Sequence, residues 1–255
     1  MTRAMHPTLL LLHGFPLDHT LWASNIPALS AMAEVIAPDL RGFGQYRATD
    51  EVTTMEAYAS DLFRILDERG VQRVIPCGLS MGGYIAMAMA EQQPARVAGL
   101  ILCNTRSIAD TAEAREGRRT TAHDARTKGM AVLARAMAPK LLGASTRRTR
   151  PDRLPRIEAM IARQRPEATA AASLGMAERP DRTHILRHFE KPALVITGDE
   201  DELMPLTTSV SMAHALPQGR LVVIEQAGHL SNTERPEVFN ATVTDFLGKN
   251  FSQPG

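Results

Sequence analysis

Short apolar runs that stop abruptly, separated by stretches of helical periodicity, constrain this 255-residue chain more than any other feature. Thr8–Leu12 is too short for a helix and ends at His13-Gly14, so it reads as a strand buried on both faces. Similar runs cover Glu34–Pro38, Arg73–Cys77, Val97–Cys103, Ala193–Thr197 and Arg220–Glu225. Between them, Thr53-Thr54-Met55-Glu56 has capping-box spacing and opens an amphipathic helix to about Arg69. A small-residue helix follows over Tyr84–Gln93, and a last one runs from Pro236 to Leu247, leaving Gly248–Gly255 as a frayed tail. Strands alternating with helices predict βαβ units and a mostly parallel sheet flanked by helices. The strands' carboxyl ends then share one rim, where ligands bind in open α/β sheets.

The alternation breaks between about Ser107 and His188. That stretch has no strand-type run, is rich in Ala, Arg and Met, and is punctuated by Gly129, Pro139, Gly143, Pro151, Pro166 and Pro180. It reads as three or four short helices, Met130–Met137 the most apolar. From Arg106 to Arg187 there are 18 Lys and Arg against 9 Asp and Glu, whereas the rest of the chain has 11 against 19. The expected organisation is therefore a core domain, 1–106 with 189–255, and an inserted helical cap, 107–188. The cap's basic surplus reads first as solvated helix faces complementing an acidic core, and second as a lure for an anionic substrate. The cap methionines Met130, Met137, Met160 and Met176 read first as helix packing.

The total formal charge of +1 points away from nucleic acid and from anionic membrane as partners. No apolar run approaches the roughly 20 residues that span a bilayer, and Met1–Pro7 lacks the features of a signal peptide. Cys77 and Cys103 fall in strand-like runs and read as core thiols, which places the chain in the reducing cytoplasm.

Gly78-Leu79-Ser80-Met81-Gly82 stands between a strand and a helix, the context a nucleophile elbow requires. Glycine is needed at the flanks because the turn is too tight for side chains there, and the helix that follows presents its positive end to Ser80. A serine hydroxyl attacks only when a base takes its proton. Of eight histidines, His229 in Gly228-His229-Leu230-Ser231-Asn232 follows a strand's carboxyl end and suits that role. The acid that orients it should follow another strand end. Asp201 in Gly198-Asp199-Glu200-Asp201-Glu202 is the choice, with Asp199 the runner-up. Ser, Asp, His is the chain order of one known triad arrangement. The N–H groups of Phe15 and Met81 are the candidate oxyanion hole. Arg41 reads as a scaffold residue of the loop after the second strand.

Together, Leu12-His13-Gly14-Phe15-Pro16, Asp39-Leu40-Arg41-Gly42-Phe43-Gly44, the Ser80 pentapeptide, Gly198–Pro205 and Gly228–Asn232 resemble the α/β-hydrolase superfamily. Cys77–Gly83, Leu100–Thr105 and His229–Asn232 are similar to its branch of 3-oxoadipate enol-lactonases and carboxylesterases. The enol-lactonases carry an Asn-Ser oxyanion loop, a cap tryptophan and an N-terminal β-hairpin. Here stand His13–Pro16, a single Trp22 outside the cap, and a first strand at Thr8, hence a shortened N-terminal sheet edge. The resemblance implies a serine hydrolase acting on a small-molecule ester or lactone without cofactor or metal. N-acyl homoserine lactonase, 3-oxoadipate enol-lactonase, cofactor-free perhydrolase (haloperoxidase) and a catalytically silent binding protein are the alternatives.

Overall fold

The computed structural model describes residues 7–48 and 50–251. Six strands, β1 (Thr8–Leu12), β2 (Glu34–Ile36), β3 (Ile75–Leu79), β4 (Leu100–Cys103), β5 (Ala193–Gly198) and β6 (Gly219–Ile224), form one sheet. Every neighbouring pair is parallel and the order is β2-β1-β3-β4-β5-β6. Pairing of Leu12 with Gly78, Leu79 with Cys103, and Gly198 with Ile224 brings the carboxyl ends of the central strands to one rim.

Alternate strand residues feed two apolar layers, as the period-2 pleat requires. Leu10, Leu12, Leu100, Leu102 and Val195 join Tyr58, Leu62 and Phe63 of α2 (Met55–Glu68) and Ile85 and Met89 of α3 (Met81–Gln92). On the opposite face, Leu9, Leu11, Cys77, Leu79, Ile101 and Ile196 join Trp22, Leu29 of α1 (Ile26–Leu29), and Phe239, Val243 and Phe246 of α12 (Pro236–Phe251). Both faces of the central strands are thus dry, which is why those strands read as unbroken apolar runs.

Several boundaries differ from the sequence reading. β3 runs on through Gly78-Leu79 because β1 and β4 both continue the ladder there. Val97, expected to open β4, makes only an isolated bridge to Val74. Thr54, not Thr53, caps α2 by accepting the Ala57 N–H at 3.2 Å. Gly248 does not end α12, which continues to Phe251, whose ring packs edge-on against Phe246 at 5.8 Å. The last four residues of the expected frayed tail lie outside the described residues, as do the first six of the chain.

Between β4 and β5 lie six helices rather than three or four: α4 (Ala112–Lys128), α5 (Met130–Leu141), α6 (Ala144–Thr149), α7 (Arg153–Ala162), α8 (Pro166–Glu178) and α9 (Thr183–Arg187). At 17 residues α4 is the longest helix among the described residues. Thr111 caps it, Gly129 at φ 81° ends it, and its buried side chains are only Ala122 and Ala125. An alanine face makes no hydrophobic stripe, so periodicity alone misses it. After β5 come α10 (Leu206–Ala215) and, beyond β6, the single turn α11 (Ser231–Glu234).

Candidate active site

Ser80 joins β3 to α3 with φ 55° and ψ −112°, a left-handed backbone in a residue that is not glycine. Such a conformation costs on the order of 1–3 kcal/mol and persists only where the surroundings enforce it. Here they do. A Cβ on Gly78 would lie 2.1 Å from Gly82 O, and one on Gly82 would lie 2.3 Å from Leu12 O. The Ser80 N–H donates to Cys103 O at 2.9 Å, and Ser80 O accepts the Thr105 hydroxyl at 2.8 Å. The serine is therefore gripped from β1, β4 and α3 at the sheet rim.

The loop after β1 lies against it, since a Cβ on Gly14 would stand 3.5 Å from Ser80 Cβ. His13 holds that loop from within the core. Its Nδ1–H donates to Gly14 O at 3.0 Å, and its Nε2 accepts the Leu40 N–H at 3.1 Å. Burial drives its pKa below the ordinary value of 6.5, against the backbone bond to Gly14 and the charges of Asp39 and Asp18. The Phe15–Pro16 peptide is cis. The N–H groups of Phe15 and Met81 have no hydrogen-bond partner among the described residues.

Across the rim, His229 follows β6 and is 3% exposed. Its Nδ1–H donates to Asp201, 2.9 Å from Oδ2 and 3.1 Å from Oδ1. Asp201 is the acid that meets it. Asp199 is exposed and accepts only the Ala227 N–H, at 3.3 Å. The Asp201 carboxylate also takes N–H donors from Leu203 at 2.9 Å, Met204 at 3.0 Å and the Asn104 amide at 2.8 Å. Burial alone would raise its pKa, but the charge and hydrogen bond of His229, with the bonds from Asn104 and Met204, hold it below the usual carboxylate range. An ionised carboxylate at Nδ1 fixes the proton there and leaves Nε2 as the acceptor. Among the described residues no hydrogen bond joins the Ser80 hydroxyl to His229.

Two residues the sequence reading assigned no role complete this side. Asn104, at φ 47° just past β4, donates from Nδ2 to Asp201 and to Gly228 O, and accepts the Ser231 hydroxyl at 2.6 Å. Glu234 lies buried behind the His229 loop. Position was a signal for Asn104 alone, a polar residue directly after β4; Glu234 closes α11, ten residues beyond β6. The Arg41 guanidinium, read from sequence as a scaffold residue, donates to Asp61 and Asp50. Asp18, His19 and Asp39 bring ligand-type atoms within 4.8 Å of one another. Their oxygens take donors from Arg163, Gln164, Thr20, His19 and Gln45.

A sequence profile of the family described as alpha/beta hydrolase fold matches residues 7–236. The structure is similar to that of a thermophilic esterase from Thermogutta terrifontis, solved with malate bound. The two are 42% identical with a TM-score of 0.93, over 96% of this chain and 91% of that one. An enol-lactonase from Burkholderia xenovorans LB400 is 30% identical, TM-score 0.89, over 97% and 93% of the two chains. In sequence, the pimeloyl-[acyl-carrier protein] methyl ester esterase of Aromatoleum aromaticum is 31% identical over 94% of this chain and 98% of that one.

Proposed function

The chain belongs to the alpha/beta hydrolase family, and from that premise we propose that it is a serine hydrolase cleaving a carboxylic ester or lactone through an acyl-enzyme. One observation carries the reading: an imidazole seated on a buried, multiply bonded carboxylate at the rim where a serine is held at positive φ. Ser80 attacks the acyl carbon while His229 Nε2 takes its proton. Asp201 steadies the imidazolium that forms, and the N–H groups of Phe15 and Met81 receive the developing oxyanion. His229 then protonates the leaving alkoxide, and water repeats the sequence on the acyl-enzyme. The likeness to an esterase and an enol-lactonase supports esters and lactones as the substrate class. We read 107–188 as a cap over this rim. The two free, buried thiols support a reducing, cytoplasmic setting.

A panel of short and long acyl esters, simple lactones and an enol-lactone, run on wild type and Ser80→Ala, tests the proposal. We expect turnover within the panel, loss of kcat on the order of 10³-fold or more in the variant, and fluorophosphonate labelling of the wild type alone. Comparable turnover by Ser80→Ala would remove Ser80 as the nucleophile. Absence of both turnover and labelling in the wild type would favour a binding protein on this fold.

A further inference from the structure

Glu234 ends α11, the single turn that follows His229, and its carboxylate is fully buried. No cationic side chain pairs with it among the described residues; its partners are backbone amides. Oε1 accepts the N–H of Gly228 at 2.9 Å and of Leu230 at 3.2 Å, the two residues that flank His229. Oε2 accepts the N–H of Gly143 at 2.8 Å, from the turn between α5 and α6. That turn is stitched to the same loop a second time, by Leu230 N–H to Leu141 O at 3.2 Å. The fit is close: a Cβ on Gly228 would lie 2.2 Å from Gly143 N. Nearby, Glu200 accepts the Ser145 N–H at 2.8 Å and its hydroxyl at 2.5 Å, tying the loop of Asp201 to α6.

An isolated buried carboxylate is expensive to keep, and this one divides its acceptors between the loop that carries the imidazole and the turn at Gly143. We propose that Glu234 is a positioning residue for the base: it fixes the 227–228 and 229–230 peptides that bracket His229, braces them on the 141–143 turn, and so aims the imidazole between Asp201 and Ser80. The inference rests on the reading of His229 as the base. It makes the α5–α6 turn a fixed buttress of the site.

The test compares wild type with Glu234→Gln, Glu234→Asp, Asp110→Asn and His229→Ala, on whichever ester or lactone of the panel the wild type turns over fastest. In Glu234→Gln one acceptor becomes an NH₂ facing backbone N–H donors. We expect kcat to fall at least tenfold with KM within threefold, fluorophosphonate labelling of Ser80 to slow by the same factor, and Glu234→Asp to recover part of both. Asp110 sits in an arginine cluster with Arg106, Arg118 and Arg179, away from these loops. Its asparagine variant shows how much activity lost stability alone removes. Glu234→Gln with activity within twofold of Asp110→Asn would overturn the proposal while leaving the base assignment intact. His229→Ala at wild-type activity would instead overturn the base assignment, whatever Glu234 does. Should neither Glu234 variant fold, amide exchange in the wild type decides. The Gly228 and Leu230 amides are expected to be protected close to the global limit, and loop-like exchange there would sink the clamp.

Discussion

Asn104 stands where three distant segments cross, and its chemistry makes a prediction its shape does not. Its amide donates to Asp201, 97 positions away, and its carbonyl accepts from Ser231, 127 positions away. Aspartate tolerates the same left-handed backbone as asparagine, so Asn104→Asp changes the charge while sparing the turn. It sets a second carboxylate 2.8 Å from Asp201 Oδ2 in place of a donor. A hydrogen bond to a buried charged group is worth about 1.5–3 kcal/mol, and a like charge adds to that loss. Steady-state kinetics should show kcat reduced on the order of 10–100-fold in Asn104→Ala and further in Asn104→Asp. If the aspartate variant is as active as the alanine one, Asn104 does not act through its bond to Asp201. Neither Asn104 nor Glu234 was legible as part of the candidate site: Asn104 is marked by partners 97 and 127 positions away, and Glu234 by a loop that folds back on Gly228 and Leu230 and by Gly143, 91 positions away. Ser80, His229 and Asp201 could be picked as candidates because each follows its own strand end. Asp201 was preferred to Asp199 by its position relative to Gly198 and Pro205.

At the scale of elements, strands declared themselves and the inserted helices did not. Buried β strands advertise themselves as apolar runs. α4 is polar on its surface and alanine beneath, and α8 (buried Ala168, Ala170, Ala171 and Ala172) is apolar without a stripe. The inserted helices pack into the core through Met176, Leu133, Leu141 and Ile161, and charge fastens them to it as well. Arg163, just past α7, forks onto Asp18 with two contacts of 2.7 Å, and Gln164 adds a third donor at 2.8 Å. Burial opposes ionisation of Asp18, yet the bonds from Arg163, Thr20 and Gln164 bring its pKa down to about 2. Arg182, buried, joins Glu91 of α3 and Glu56 of α2. Asp18→Asn removes the charge from the first of these joints. Because Arg163 is half exposed, the loss should be about 1–3 kcal/mol, below that of a wholly buried pair. Thermal unfolding should then begin some 2–10 °C lower. An unchanged midpoint would mean that the Arg163–Asp18 joint does not hold the inserted helices.

Across the whole molecule, these cross-links use part of the lopsided charge that the sequence carries. Arginines of 107–188 meet acids outside that stretch at Arg163–Asp18, Arg182–Glu56, Arg182–Glu91 and Arg147–Glu202, and Arg182 does so while buried rather than on a solvated face. The same buried groups set the response to pH, and they act in separate windows. Asp18, Asp39, Asp110 and Asp201 all titrate below the ordinary value of 3.8 in the folded chain. Their stabilisation is complete above about 3.8 and is lost as the pH falls through their folded values. Glu234 runs the other way: burial raises it above 4.5 despite its amide donors, so what it contributes at low pH is lost as the pH rises through its folded value. On the physiological side His13 contributes. Its folded pKa lies below 6.5, so the unfolded chain takes up a proton first. Its contribution is complete above about 6.5 and is lost as the pH falls toward the folded value, by at most about 1.4 kcal/mol per pH unit for one proton. Protonating it also ends the acceptance of the Leu40 N–H that holds the Phe15 loop. Thermal unfolding followed from pH 8 down to pH 5 should therefore show a falling midpoint in the wild type and a flatter one in His13→Asn, which starts lower but has no imidazole to charge. Parallel curves for the two proteins would show that the acid sensitivity arises elsewhere and that His13 is a packing residue with no part in it.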